Sequence, residues 1–207
     1  VSGTPSAPDT EPHWRSAQLF SNVDLPQKQR SWLLDDGSLT ERLITTQAGD
    51  FTVQRLRQSW ATPYRSERNL LGIGLRQKAL IREVALQING QAVVFGRSIF
   101  PAASLAGELR HLRHLQNRPL GAILFRYPSM QRSPFELAHI PGDNDLLPAT
   151  LRQEQAVWGR RSCFDIKGKR LLVSEVFLSA FQPWQALLPI HRSQRGKVSA
   201  AILRAKQ

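Results

Sequence analysis

Apolar and polar positions alternate most clearly from Lys78 to Phe100. The stretch reads Lys-Ala-Leu-Ile-Arg-Glu-Val-Ala-Leu-Gln-Ile, then Asn89-Gly90, then Gln-Ala-Val-Val-Phe-Gly-Arg-Ser-Ile-Phe. Asn-Gly between two β-rich runs predicts a hairpin, because both central residues of a type I′ turn need positive φ. Strand side chains alternate faces, so Leu80, Arg82, Val84, Leu86 and Ile88 share one. An unbroken register from the turn pairs Ile88 with Gln91, Leu86 with Val93, Val84 with Phe95, and Arg82 with Arg97.

A second hairpin is predicted from Trp158 to Leu178, turning at Lys167-Gly168, with Leu171, Val173, Glu175 and Phe177 on one face of the return strand. Asp50 to Ala61 alternates as a strand with an irregularity near its middle. Ser133 to Ile140 reads as another strand, followed by a turn or inserted loop over Pro141 to Asp145. Helical patterns begin at Leu25, with Pro26 in the first turn and Trp32, Leu33 and Leu34 inside. Another begins at Ser38, where Ser38 and Glu41 have capping-box spacing and Leu39, Leu43 and Ile44 form the buried side. Leu105, Leu109, Leu112 and Leu115 recur at helical spacing. Thr62 to Asn69 reads as a polar loop, Asn117 to Gly121 as a loop before the apolar run Ala122 to Phe125. Residues 1–24 read as a loose lead-in whose end His13 and Trp14 anchor, and the tail from His191 as a basic extension without acidic residues. No internal repeat appears. The sum is an α+β fold: a single domain with an antiparallel β-sheet and a few helices.

The chain has 207 residues, 41% of them hydrophobic and five of them Trp, enough for one domain with a substantial core. Its single cysteine, Cys163, excludes an internal disulfide and fits a reducing, cytoplasmic setting. No apolar run has the length of a membrane span. The first residues lack the basic region and apolar core of a signal peptide, and the absence of an initial Met leaves a processed or truncated start open. A formal net charge of +12 admits three partners: nucleic acid, an anionic membrane surface, or a small anionic substrate. No zinc-finger spacing, RNP-type motif or Lys/Arg block accompanies the charge, so no nucleic-acid partner is expected. Gly72-Ile-Gly74 lacks the third glycine of a phosphate loop. His111 and His114 have metal-ligand spacing without supporting Asp, Glu or Cys, and read as solvated surface.

Two features carry chemistry. Arg82 and Arg97 side by side on an apolar face are costly, since like charges opposite one another destabilise a strand pair and a buried charge needs a counter-charge. The face calls for an anion from a ligand or from the protein; otherwise a buried Arg–Glu pair supports the fold, or Arg97 reaches out to water. Glu175 is the converse, a carboxylate among apolar neighbours, which either pairs with a cation or has a raised pKa.

Four stretches resemble the bacterial chorismate pyruvate-lyase family. They are Trp32-Leu-Leu-Asp-Asp-Gly-Ser-Leu-Thr40; Leu80-Ile-Arg-Glu-Val84 with Gly96-Arg97; Pro119-Leu-Gly121 with Leu124-Phe125; and Trp158-Gly-Arg-Arg-Ser162 with Glu175-Val-Phe-Leu178. The resemblance spans about residues 30 to 180 and implies a lead-in over residues 1–24, a catalytic domain over 25–180 and a basic extension over 181–207. It implies an antiparallel sheet with helical flaps closing an internal cavity. It implies elimination of pyruvate from chorismate to give 4-hydroxybenzoate for ubiquinone biosynthesis, by a cytoplasmic monomer with no metal or organic cofactor. The family's arginine falls on Arg82 and its glutamate on Glu175; its two backbone contacts fall on Leu39 and Leu120. Arg82 would grip the ring carboxylate, and Arg97 would hold the side-chain carboxylate or raise the local field. Glu175 would either protonate the departing enolpyruvyl oxygen or accept a hydrogen bond from the ring hydroxyl. The alternative is a non-catalytic sensor domain of the same fold that binds an aromatic acid. The basic tail is expected to touch anionic membrane weakly.

Overall fold

A computed structural model describes residues 11–184. Within them one antiparallel sheet holds eight strands: β1 (Arg15–Ser16), β2 (Phe51–Ala61), β3 (Ala79–Ile88), β4 (Gln91–Pro101), β5 (Met130–Arg132), β6 (Glu136–Ile140), β7 (Val157–Ile166) and β8 (Lys169–Phe177). Their order across the sheet is β1-β6-β7-β8-β4-β3-β2, with β5 paired to the far end of β7. Among the described residues there are four short α-helices: α1 (Arg30–Leu33), α2 (Leu39–Thr45), α3 (Arg65–Leu71) and α4 (Gly121–Leu124). The single α+β domain expected from the pattern is what the chain forms.

Both predicted hairpins are present. Asn89 and Gly90 turn the first at φ 51° and 78°, and Lys167 and Gly168 turn the second at 53° and 79°, the left-handed values that a type I′ turn demands. The irregularity in β2 falls between Arg55 and Arg57.

The register of the first hairpin differs from the unbroken one. Ile88 pairs with Gln91, but a bulge follows: Gln87 pairs with Ala92 and Leu86 with Val94. Val93 is the extra residue, and a bulge shifts every later pair by one. Val84 therefore faces Gly96, Arg82 faces Ser98, and Glu83 faces Arg97. Arg82 and Arg97 point to opposite faces of the sheet. The costly pair of neighbouring arginines does not form.

Both faces are covered. On one, Trp32, Leu39 and Leu43 pack against Val84 and Leu86, while Leu120 and Leu124 pack with Leu80 and Phe100. On the other, Leu71 of α3 meets Ile81 and Ile99, and Leu146 and Leu147 meet Phe95 and Val176.

Several local expectations are corrected. The helix expected from Leu25 is one turn at α1, preceded by turns closing on the Pro26 carbonyl. Ile44 is exposed, because only Leu39 and Leu43 of α2 reach the sheet. The expected loop from Thr62 contains α3, whose C-cap is Gly72 at φ 68°. Leu105 to Leu115 runs as two 3₁₀ segments, Ala102–Leu105 and Gly107–His114, broken where Gly107 takes φ 60°. All four leucines are fully buried, and spacings of three residues serve a 3₁₀ turn as well as an α turn. The strand expected over Ser133 to Ile140 is β6, which starts at Glu136, and β5 lies just ahead of it. His111 and His114 are exposed. Within the lead-in, β1 joins the sheet and the Arg161 guanidinium lies over Trp14. Beyond β8, Phe181 meets Trp32, Phe177 and Trp184 edge to face. The basic tail from His191 lies outside the described residues.

Candidate functional site

A small cavity, about 50 Å³ in volume, lies on the face that carries Arg82. Its floor is the middle of the sheet, with Val84 from β3, Gly96 and Ser98 from β4, and Val173 and Glu175 from β8. Its roof is two short flaps. Ser38 caps α2 through its side chain, which accepts from the Glu41 amide as the sequence spacing predicts. A side chain on Gly121, at the start of α4, would come within 3.0 Å of Ser38 Oγ. A glycine there lets the two flaps meet above the cavity. Leu39 and Leu120 stand at the starts of these flaps and line the space.

Register places the polar groups. Arg82, Ser98 and Val173 form one row across three strands; Val84, Gly96 and Glu175 form the next row on that face. Strand spacing and rise put the Arg82 and Glu175 Cα atoms roughly 12 Å apart along a diagonal. A Cβ on Gly96 would lie 3.0 Å from Val84 Cγ2, so the bare glycine keeps the floor open between them.

Arg82 is 1% exposed. Its Nη2 donates to the main-chain carbonyls of Gln116 and Arg118, each at 2.9 Å, which ties the β3 floor to the segment leading into α4. Its Nε is buried without a partner. Among the described residues no carboxylate forms an ion pair with Arg82. Burial, with a small push from Arg55, brings its pKa down to about 10, so it remains a cation at neutral pH. A buried donor without an acceptor, in a cavity lined mostly by apolar side chains, is a place prepared for an anion.

Glu175 takes the first of its two alternatives and pairs with cations. Its Oε2 accepts from Arg160 Nε at 2.7 Å and lies 4.0 Å from Arg132 Nη2. Its Oε1 makes no hydrogen bond within the described chain. Arg160 is wholly buried behind it and donates from Nη1 to the carbonyls of Trp32 and Asp35. Arg132 lines the cavity. Its Nε donates to Ser162 Oγ at 2.7 Å and its Nη1 to the carbonyls of Asp36 and Gly37. Burial, with Arg160 alongside, brings Arg132 down to about 9, against the opposing pull of Glu175. Thus Arg132 and Arg160 tie Glu175 to the turn that enters α2.

Arg97 is the sequence-derived site residue that the fold moves away. Its Nε and Nη2 donate to the two carboxylate oxygens of Glu67 at 2.8 and 3.1 Å, its Nη1 bonds Glu83, and Tyr64 lies over its guanidinium. It is the buried Arg–Glu pair that supports the fold, and it is corrected from a substrate ligand to a clamp between α3 and the sheet. Arg161 is on that face too, bonded to Glu136 and Ser66. Arg97→Met is expected to lower stability by about 3–5 kcal/mol, because Glu67 and Glu83 are left buried without a cation. Thermal unfolding and ligand titration of the folded fraction check this, since ligand affinity should hold within about threefold.

Sequence reasoning missed Arg132. The signal was faint: a three-residue strand ending just before Ser133-Pro134, where the predicted strand began one residue too late.

The cavity thus joins an unpaired cation at one end to a paired carboxylate at the other, under two flaps. A family model described as chorismate lyase matches residues 11–186. The chain is 42% identical over 153 residues to a protein of Methylococcus capsulatus (strain ATCC 33009 / NCIMB 11132 / Bath) named "Probable chorismate pyruvate-lyase", covering 72% of this chain and 94% of that one. It is 39% identical over 159 residues to a protein of the same name from Thiobacillus denitrificans (strain ATCC 25259 / T1), covering 75% and 84%. Among solved structures, the effector domain of PhnF from Mycobacterium smegmatis superposes with a TM-score of 0.50 at 16% identity, over 69% of this chain and 89% of that one. At that identity the likeness is one of fold.

Proposed function

The chain belongs to the chorismate lyase family, and from that premise we propose that the cavity eliminates pyruvate from chorismate and leaves 4-hydroxybenzoate. The observation that carries this reading is the buried, carboxylate-free guanidinium of Arg82 facing Glu175 across an apolar floor. Arg82 grips the ring carboxylate, which is common to substrate and product, in a charge-assisted hydrogen bond. The free Oε1 of Glu175 accepts a hydrogen bond from the ring hydroxyl, fixing the ring between the two ends. The backbone groups of Leu39 and Leu120 meet the ligand, and their side chains seal it in.

In the reaction the C3–O bond breaks and its electron pair leaves with the enolpyruvyl oxygen. The C4–H electron pair becomes part of the aromatic ring, and that proton is the one the departing group gains. Aromatisation supplies the driving force, so the protein has to position the ring, exclude water and hold charge. Pairing of Glu175 with Arg160 supports the acceptor role over delivery of a proton to the leaving oxygen. It also supports the enzyme over a sensor, for which Arg82 alone would hold the acid.

We infer that the reaction runs in the cytoplasm, at the entry to ubiquinone biosynthesis. Among the described residues no helix is long and apolar enough to cross a membrane. The tail from His191 adds weak attraction to anionic lipid; equal liposome binding with and without residues 191–207 would remove that part.

The test is incubation of the purified chain with chorismate, followed by chromatography. Equal amounts of 4-hydroxybenzoate and pyruvate are expected; bound but unconverted chorismate would return the reading to a sensor. A closed apolar cavity fitted to the product should also release it slowly. Stopped-flow displacement is expected to give 4-hydroxybenzoate a Kd of about micromolar or tighter, with millimolar binding as the contrary result.

A further inference from the structure

The bulge in the first hairpin removes Arg97 from the cavity and leaves the substrate's second carboxylate without a cation. We propose that Arg132 takes that place and binds the enolpyruvyl carboxylate, which product lacks. This rests on the lyase reading and adds to it a residue that discriminates substrate from product.

Three observations converge on Arg132. It is a lining residue of the cavity, whereas Arg160, the other cation beside Glu175, stands behind the floor. Its guanidinium is already aimed. Nε is fixed on Ser162 Oγ and Nη1 on the carbonyls of Asp36 and Gly37, while Nη2 makes no hydrogen bond within the described chain. Its nearest anionic atom, Glu175 Oε2 at 4.0 Å, is engaged by Arg160 at 2.7 Å. Phe135 and Phe164 lie against it at 4.3 and 4.8 Å from their ring centroids and hold the plane in place.

The location matches the substrate. The ring carboxylate at C1 goes to Arg82, so the hydroxyl at C4 lies at the Glu175 end, and the enolpyruvyl ether on neighbouring C3 lies beside it. Arg160 Nη2 also lacks a partner among the described residues but belongs to a side chain outside the cavity lining, so Arg132 Nη2 is the spare donor that the cavity presents at that end. As the C3–O bond breaks, negative charge moves onto the enolpyruvyl oxygen and its carboxylate, and a guanidinium fixed there stabilises both. After pyruvate leaves, Arg132 has nothing left to hold, while Arg82 still grips the product. Arg132 also reaches the turn into α2 through Asp36 and Gly37, so the flap that must open for pyruvate shares its anchor with the group that releases it.

The experiment compares two ligands on the full chain. One is 4-hydroxybenzoate, with a single carboxylate. The other is 3-(1-carboxyvinyloxy)benzoate, an aromatic that carries both carboxylates and does not react. Arg132→Gln is expected to weaken the two-carboxylate probe by about 100-fold and 4-hydroxybenzoate by less than about threefold. kcat/KM for chorismate should fall in step with the first. Arg132→Lys, which keeps the charge and loses the fork, should recover part of the difference. Arg132→Met is read in the same way if the Gln variant does not fold. Equal weakening of both probes would mean that Arg132 only supports the flap, and would overturn the proposal. Unchanged binding of both would overturn it as well. A parent chain that converts chorismate while Arg132→Gln does too sinks this inference alone; a parent chain that binds neither probe and makes no pyruvate sinks the lyase reading with it.

Discussion

Arg82→Met is expected to lower kcat/KM for chorismate by about 10²- to 10⁴-fold while leaving the ligand-free protein about as stable as its parent. The first half follows from the ligand. A carboxylate brought into this cavity without its guanidinium is a buried, unpaired charge, which costs about 3–5 kcal/mol, and each 1.36 kcal/mol is tenfold in rate. The second half follows from what Arg82 does in the empty protein. Among the described residues it forms no ion pair, its Nε is unsatisfied, and only its Nη2 is used, on the Gln116 and Arg118 carbonyls. Burial holds its pKa at about 10, below the ordinary arginine value. A cationic group whose pKa is depressed by folding opposes folding while it stays protonated. That penalty is present at neutral pH and fades only as pH rises above about 10. Removing it offsets the two lost hydrogen bonds, worth about 1 kcal/mol each. Steady-state kinetics and a thermal melt read the two halves separately. A fall in Tm as large as that of Arg97→Met would make Arg82 a structural residue.

Glu175→Gln should behave in the opposite way, losing both turnover and stability. The carboxylate is the counter-charge of Arg160 and Arg132, both buried. Without it two guanidinium groups stand side by side in a low dielectric, at a cost of about 3–5 kcal/mol. The substitution also replaces a charged acceptor with a neutral one where the ring hydroxyl acidifies as the ring becomes aromatic. Loss of one such aimed contact costs about 10²–10³ in kcat. KM should move less, because the contact strengthens on the way to the transition state. The stability loss is read at equilibrium in urea, and kcat is read on the folded fraction. An unchanged kcat would remove Glu175 from the chemistry and leave it as support for the two arginines.

Much of the site could be read from alternation and turn chemistry. Asn89-Gly90 and Lys167-Gly168 announce the two hairpins that form the floor, and period two puts Arg82 and Glu175 on their apolar faces. Ser38 and Glu41 announce the flap at Leu39. What could not be read depends on contacts far apart in sequence. The bulge at Val93 has no glycine to mark it, yet it turns Arg97 to the other face, where Glu67 and Glu83 wait. Helix α3 was hidden because its first amides are capped by Glu11, more than fifty residues away, and because Tyr64 is not a usual cap residue. The partner of Glu175, by contrast, is legible: the unbroken register from the Lys167-Gly168 turn sets Arg160 directly opposite it on β7.

The most direct test of the site is a comparison of 4-hydroxybenzoate with 4-hydroxybenzamide by calorimetric titration. The two share shape and hydroxyl, and differ in the charge offered to Arg82. The acid is expected to bind at least about 100-fold tighter than the amide in the parent chain, and the preference should vanish in Arg82→Met. Equal affinity for acid and amide in the parent would contradict the claim that this cavity is built around an unpaired cation waiting for a carboxylate.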